Sequence, residues 1–207
     1  MTAPAAETTA LADTVRRMLD RVAPPTSLVR EDDLDALRRR VDTALHDEIG
    51  LAGLLVPEAL GGLGGELSDA ATVAAELGRS CAPSGFVTTT VIAGPLLAAL
   101  GHAGPAGVAC LAVPWDTAPG GLVPRLSVVD GVVSGSVRSI VGVGDGDGLL
   151  VLPVIVGGET AVAITPFDAP GVRLAPVTSL DTTRPLTDVT LDGVAVQVLA
   201  TGQRAVD

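Results

Sequence analysis

The chain has 207 residues and a formal net charge of −11, and all thirteen of its basic side chains are arginines. That balance argues against a nucleic-acid partner, because phosphate backbones are held by clustered cations. Trp115, Phe86 and Phe167 are the only aromatic residues, so base-stacking platforms are excluded as well and any core must be filled by Val, Leu, Ile and Ala. The length suffices for one large domain or two small ones. Cys81 and Cys110 stand apart, without zinc-site spacing or the density of a disulfide scaffold, and read as buried thiols. The N-terminus carries acids and no continuous apolar stretch, unlike a secretory signal. The longest apolar run, residues 148–156, is about half of a membrane-spanning helix. A cytoplasmic protein with no membrane span is expected.

In chain order, residues 8–22 form a weakly amphipathic helix through Leu11, Val15, Met18 and Val22, ended by Pro24 and Pro25. Residues 31–49 repeat the theme more strongly. Leu34, Leu37, Val41, Leu45 and Ile49 recur at steps of three and four, with acids in the first turn and Arg38, Arg39 and Asp42 placed off the apolar face. Ser68 reads as the N-cap of a helix over 69–79 whose Ala70, Val73 and Leu77 face inward. A further apolar helix spans 86–100, interrupted or restarted at Gly94-Pro95. Near residue 105 the period changes from helical to alternating. Hairpins are predicted about Asp130-Gly131 and Gly157-Gly158, and residues 185–199 supply the last clear strand.

Several residues invite a chemical reading that their pattern does not support. Gly61, Gly62, Gly64 and Gly65 miss the dinucleotide fingerprint, and no Gly-Lys-Ser/Thr follows them. The cluster Gly142 to Gly148 includes two aspartates that would repel a pyrophosphate. Both read as turns. His46, Asp47 and Glu48 are consecutive and so point in different directions on a helix, which suits a solvated helix end. Glu58, Glu66, Asp69 and Glu76 read as surface acids, His102 as a loop residue, and Ser134 and Ser136 lack the hydrolase elbow arrangement. No metal-ligating set is recognised.

Three ordered segments carry a resemblance. "GLAGLLVPEALGGLGGELSDAATVAAELGRSCAP" (50–83), "VVDGVVSGSVRSIVGVGDGDGLLVLPV" (128–154) and "DAPGVRLAPVTSLDTTRPLTDVTLDGVAV" (168–196) resemble acyl-CoA dehydrogenases, with a likeness over roughly residues 31–199. The resemblance implies an α+β fold: an N-terminal helical domain at 1–104, a middle antiparallel β-barrel or sandwich domain at 105–199, and at 200–207 the start of a C-terminal helix. The family's C-terminal four-helix domain is absent from this sequence. In the family the Gly-rich turn reverses the chain between two helices.

The resemblance also implies a chemistry, the FAD-dependent oxidation of an acyl-CoA thioester between Cα and Cβ. A carboxylate base removes the α-proton and the flavin accepts the β-hydrogen. This chain departs from the pattern. The catalytic Glu belongs to the absent domain, so no catalytic residue is assigned here. Ala112 and Val113 stand where the family's flavin loop has Thr and Glu, and Val137 to Val141 replace a run with a stacking aromatic and a hydroxyl. By position in the family loops, Trp115, Ser139 and Val141 are the cofactor-binding candidates, Trp115 being equally suited to an interface or a core. Acyl-CoA and FAD are the implied ligands. The chain is expected to be inactive alone and to join a homo- or hetero-oligomer with a fuller acyl-CoA dehydrogenase subunit. The alternative is a non-catalytic binding or scaffolding subunit that kept the fold and lost the flavin site.

Overall fold

The computed structural model describes residues 5–30, 33–102, 107–118, 126–143 and 147–202. It forms two compact units, Met1–Pro95 and Leu96–Asp207. The first is helical. α1 (Ala5–Val22) presents Val15, Met18 and Leu19 to the core, and the short α2 (Ser27–Arg30) follows the Pro24-Pro25 break. α3 (Leu34–Thr43) starts at Asp33, whose carboxylate accepts the Ala36 N–H at 2.8 Å. It continues through a π-helical turn, Ala44–Glu48, so the single predicted helix over 31–49 changes its hydrogen-bond register before it ends. α4 (Leu67–Arg79) buries Ala70, Val73 and Leu77 as the periodicity requires. Its cap, however, is Glu66, whose N–H donates to Asp69 Oδ2 at 2.8 Å. Ser68, the predicted cap, lies inside the first turn and donates to Glu66 instead.

Between α3 and α4 the chain doubles back over the Gly-rich turn. The N–H groups of Leu63, Gly64 and Gly65 donate to the carbonyls of Gly53, Val56 and Leu54. A Cβ on Gly62 would sit 2.1 Å from the Val56 carbonyl oxygen, so two backbone segments meet there at a distance that only glycine permits. The predicted helix over 86–100 is a π-helical stretch, Val87–Ala93, followed by α5 (Gly94–Ala99). The break falls at Gly94-Pro95, as expected.

The second unit is one open eight-stranded sheet: β1 (Val108–Leu111), β2 (Leu126–Val129), β3 (Val132–Val141), β4 (Gly148–Val156), β5 (Glu159–Pro166), β6 (Val172–Val177), β7 (Leu186–Ala195) and β8 (Gln197–Thr201). The path runs β6-β7-β3-β2-β4-β5-β8, with β1 also on β4. Both predicted hairpins form. Asp130 and Gly131 turn with φ of 51° and 79°, and Gly157 and Gly158 with φ of 58° and 90°, the double positive φ that matches strand twist. Two features differ from a purely antiparallel barrel. β1 and β2 run parallel to β4 and share one of its edges, because β5 occupies the other from Leu149 to Val156. No pairing among the described residues joins β6 to β8, so the sheet is not closed.

β4 buries Leu150, Val151 and Leu152 in succession, which means that both of its faces are covered and explains its unbroken apolar sequence. The single strand predicted at 185–199 is two: β7 pairs with β3 and β6, and after Val196 the chain moves to β5 as β8. Ala200 and Thr201, the expected beginning of a helix, belong to β8, and residues 203–207 lie outside the described residues. Among the described residues no helix is long and apolar enough to cross a membrane.

Candidate functional site

The three residues singled out for cofactor contact lie on or beside β3. Between Val137 and Ile140 the β3–β7 register shifts, and the extra residue in the bulge turns Ser139 to φ 53°, a conformation that costs energy in a non-glycine residue. The bulge is held from two sides. The Trp115 N–H donates to the Ser139 carbonyl at 3.0 Å, and the Ser139 N–H donates to Asp188 Oδ1 at 2.8 Å. Asp188 also lies 4.0 Å from Arg138 Nε. Thus the structure brings Trp115 and Ser139 together at one end of β3, with the Trp115 side chain 64% exposed. Val141 is two residues further along, in register with Leu186 of β7. Asp188 escapes a sequence reading focused on motifs. Its signal is an acid set inside the strand run Leu-Thr-Asp-Val-Thr-Leu.

This donor set does not by itself fit a flavin. Ala112 and Val113 offer no polar side chain, and their N–H groups are used by the carbonyls of Val151 and Leu111. The backbone N–H groups of Trp115 and Ser139 are used by Ser139 and Asp188. The side chain that holds the bulge is the Asp188 carboxylate, which accepts rather than donates hydrogen bonds and has Arg138 as its counter-charge.

In the helical unit a polar seam replaces what the sequence suggests is surface. Glu76 is 7% exposed. It receives Arg16 Nη2 at 2.6 Å, Arg16 Nε at 3.1 Å and Arg79 Nε at 2.7 Å, and these charge-assisted bonds, led by Arg16, hold its carboxyl below the usual range. Arg38 is buried rather than off the apolar face. It reaches Asp35 Oδ1 at 3.1 Å, while Nε and Nη1 find no acceptor. Asp42 accepts Ser84 Oγ at 2.6 Å and the Gly85 N–H at 3.0 and 3.1 Å. Burial pushes its carboxyl up, against those bonds and the nearby Arg38 charge. His46, half-buried in the π-helical turn, lies 3.5 Å from Thr90 Oγ1, so it faces a hydroxyl of the second π-helical stretch, while Asp47 and Glu48 are exposed. Cys110 is buried as expected, but Cys81 is exposed.

Comparison with known proteins places this architecture. A sequence profile described as "Acyl-CoA dehydrogenase, N-terminal domain" matches residues 5–104. Acyl-CoA dehydrogenase IpdE2 of Mycobacterium tuberculosis is 43% identical over 97 residues, 47% of this chain and 29% of that protein. The ChsE4-ChsE5 complex of Mycobacterium tuberculosis superimposes with a TM-score of 0.72 at 19% identity, covering 99% of this chain and 59% of that one. Glutaryl-CoA dehydrogenase of Mycobacterium smegmatis gives 0.70 at 19% identity, with 98% and 58% covered. An acyl-CoA dehydrogenase of Bacillus anthracis complexed with FAD gives 0.66 at 19% identity, with 97% and 38% covered. The fold is therefore that of the helical and sheet portions of acyl-CoA dehydrogenases. The chain is acyl-CoA dehydrogenase-like, with residues 5–104 matching that family's N-terminal domain, and it spans less than two thirds of the relatives it matches.

Proposed function

We propose that this chain supplies the helical and sheet portions of an acyl-CoA dehydrogenase assembly in which a fuller subunit carries the FAD and the catalytic base. The assembly oxidises an acyl-CoA thioester between Cα and Cβ in the cytoplasm, and the chain alone is inactive. The observation that carries this reading is the corner at Ser139. An exposed tryptophan stands there beside a strained bulge, and the corner's hydrogen-bond donors are spent on Ser139 and Asp188. A hetero-oligomer is supported by the solved ChsE4-ChsE5 pair, described as a complex, to which nearly the whole of this chain superimposes. In this reading Trp115, Ser139 and Val141 contact a flavin held mainly by the partner.

The alternative is a scaffolding subunit with no flavin contact. It is favoured by the Asp188 carboxylate, which fills the bulge donor. Visible absorbance and FAD titration test both. The isolated chain is expected to purify colourless and to bind FAD weakly, because each missing hydrogen bond or stacking face removes about 1 kcal/mol. Sub-micromolar affinity for FAD in the isolated chain would overturn the proposal. In the complex with a fuller subunit, Trp115→Ala is expected to shift the flavin spectrum. An unchanged spectrum selects the scaffolding alternative.

A further inference from the structure

Arg38 of α3 is a buried guanidinium, 3% exposed. Its Nη2 reaches Asp35, which is itself 44% exposed, while Nε and Nη1 are buried with no acceptor. A buried donor without a partner loses its hydration and gains nothing in return, so an acceptor within reach of these two nitrogens is drawn to them. One such acceptor stands a helical turn further on. Asp42 follows Arg38 by four residues, the spacing at which helical side chains meet, and side chains lean toward the N-terminus of their helix, which is the direction of Arg38. The Asp42 carboxylate is committed elsewhere. It accepts Ser84 Oγ and the Gly85 N–H just before the second π-helical stretch. That grip fixes the entry to Val87–Ala93, because the Gly85 carbonyl in turn accepts the Thr89 N–H at 2.8 Å and Thr88 Oγ1 at 3.0 Å. Residues 84–93 carry no charged side chain, so Asp42 holds them by hydrogen bonding and not by charge pairing. Burial raises the Asp42 pKa, the bonds from Ser84 and Gly85 lower it, and the charges of Arg38 and His46 lower it further. The guanidinium is thus near enough to act on the carboxylate, while two of its nitrogens stay unmet.

We propose that Asp42 is a two-position latch within the helical unit. In the closed position it holds Ser84 and Gly85, the arrangement seen here. In the open position its carboxylate turns back to Nε and Nη1 of Arg38, and the entry to Val87–Ala93 is released. A guanidinium fork matches a carboxylate two bonds at a time, so the open position is a defined state and not a loss of order. Each position satisfies one set of donors and strands the other, and this balance is what allows two states of one element to coexist. The inference rests on α3 and residues 84–93 alone and does not depend on the proposed dehydrogenase role.

Amide hydrogen exchange of the 207-residue chain tests it, with Gly85 as the reporter and Val73, fully buried in α4, as the measure of unfolding of the unit as a whole. In Arg38→Met the open position has no receiver, and exchange at Gly85 is expected to slow about threefold relative to Val73. Asp42→Ala removes the latch and is expected to speed Gly85 about tenfold. Adding Arg38→Met to Asp42→Ala is expected to change nothing further, because Arg38 acts on Gly85 through Asp42. An Arg38 that is only structural, its donors met by internal water, predicts instead the same Arg38→Met effect with or without Asp42. Arg38→Lys keeps the charge, loses the fork and is expected to fall between the parent and Arg38→Met; it takes the place of Arg38→Met if that variant loses its helical circular dichroism. Gly85 exchange that does not slow relative to Val73 when Arg38 is replaced, or that slows equally in the Asp42→Ala background, would overturn the proposal.

Discussion

At the scale of single residues, two carboxylates of the helical unit respond to pH in opposite directions. Glu76 is gripped by Arg16 and Arg79, joining α1 to α4. Its folded pKa lies below the usual 4.5, so its stabilisation is complete above that value and is lost as pH falls through the folded one. The two arginines are 44% and 41% exposed, and solvent therefore screens part of the attraction. Glu76→Gln is expected to cost about 2 kcal/mol at neutral pH, with the gap to the parent closing in acid. Asp42 behaves inversely. Its folded pKa is raised above the usual 3.8 by burial, so the stability it contributes is full below 3.8 and declines as pH rises through the folded value. Asp42→Asn removes that decline but weakens the grip on Ser84 and Gly85, and should cost about 1 kcal/mol where the carboxylate is charged. Thermal unfolding of both variants between about pH 3 and 7 separates the two slopes. A parallel shift at every pH would refute the assigned shifts. Neither carboxylate is legible as buried from sequence. A helical wheel sets Glu76 at the margin of its apolar stripe, and only the partner helix reveals that an arginine meets the acid; Arg38, four residues after Leu34 and three before Val41, falls on the apolar stripe, and only its charge speaks for the surface.

At the scale of elements, what is legible is what local chemistry decides. The Asp130-Gly131 and Gly157-Gly158 hairpins form because their turn residues accept positive φ and their flanks alternate. The Gly94-Pro95 restart follows from the proline that cannot continue the preceding ladder. What is not legible depends on distant partners. The parallel seating of β1 and β2 on β4 is set by non-local pairing, and four-residue strands leave too short a pattern to read. The division at Val196 is invisible because both β7 and β8 are apolar and alternating, and only their different neighbours separate them. The π-helical stretches keep nearly the same apolar faces as an α-helix, so periodicity cannot distinguish them. The Gly-rich turn lies between these cases. Its glycines announce a tight reversal, but which of them is indispensable emerges only when Val56 is seen against Gly62. Gly62→Ala is expected to destabilise the helical unit by about 2 to 3 kcal/mol, whereas Gly61→Ala, with open space around its Cβ but φ of 84°, should cost about 1 kcal/mol. Equal denaturation midpoints for the two variants would show that the Val56 contact yields without cost.

For the whole molecule, the candidate residues Trp115 and Ser139 meet at one end of β3. Position in the family loops singles out Trp115 and the run ending at Val141, yet nothing in the sequence shows that Asp188 reaches across from β7 to take the Ser139 N–H. The donors of that corner are spent internally, and the surface carries large apolar side chains as well. Leu60, Leu63 and Leu67 around the Gly-rich turn are 56%, 51% and 69% exposed, and Leu180 on the sheet unit is fully so. Three leucines within eight residues, all more than half exposed, are costly to leave in water at about 25 cal/mol per Å², and such apolar surface commonly marks an interface. With only three aromatic side chains in 207 residues, the internal core has little large-residue area to offset that cost. Expressed alone, the chain is expected to self-associate or unfold at modest temperature and to bind an apolar-surface dye. Co-expressed with a fuller acyl-CoA dehydrogenase subunit, it should co-purify, lose the dye signal and melt several degrees higher, since anything that binds only the native state stabilises it by mass action. Leu63→Ser/Leu67→Ser is expected to relieve self-association while weakening co-purification. Sedimentation decides between the outcomes: a monodisperse, heat-stable monomer that neither binds dye nor gains stability from the partner would mean that the exposed leucines belong to a self-sufficient surface.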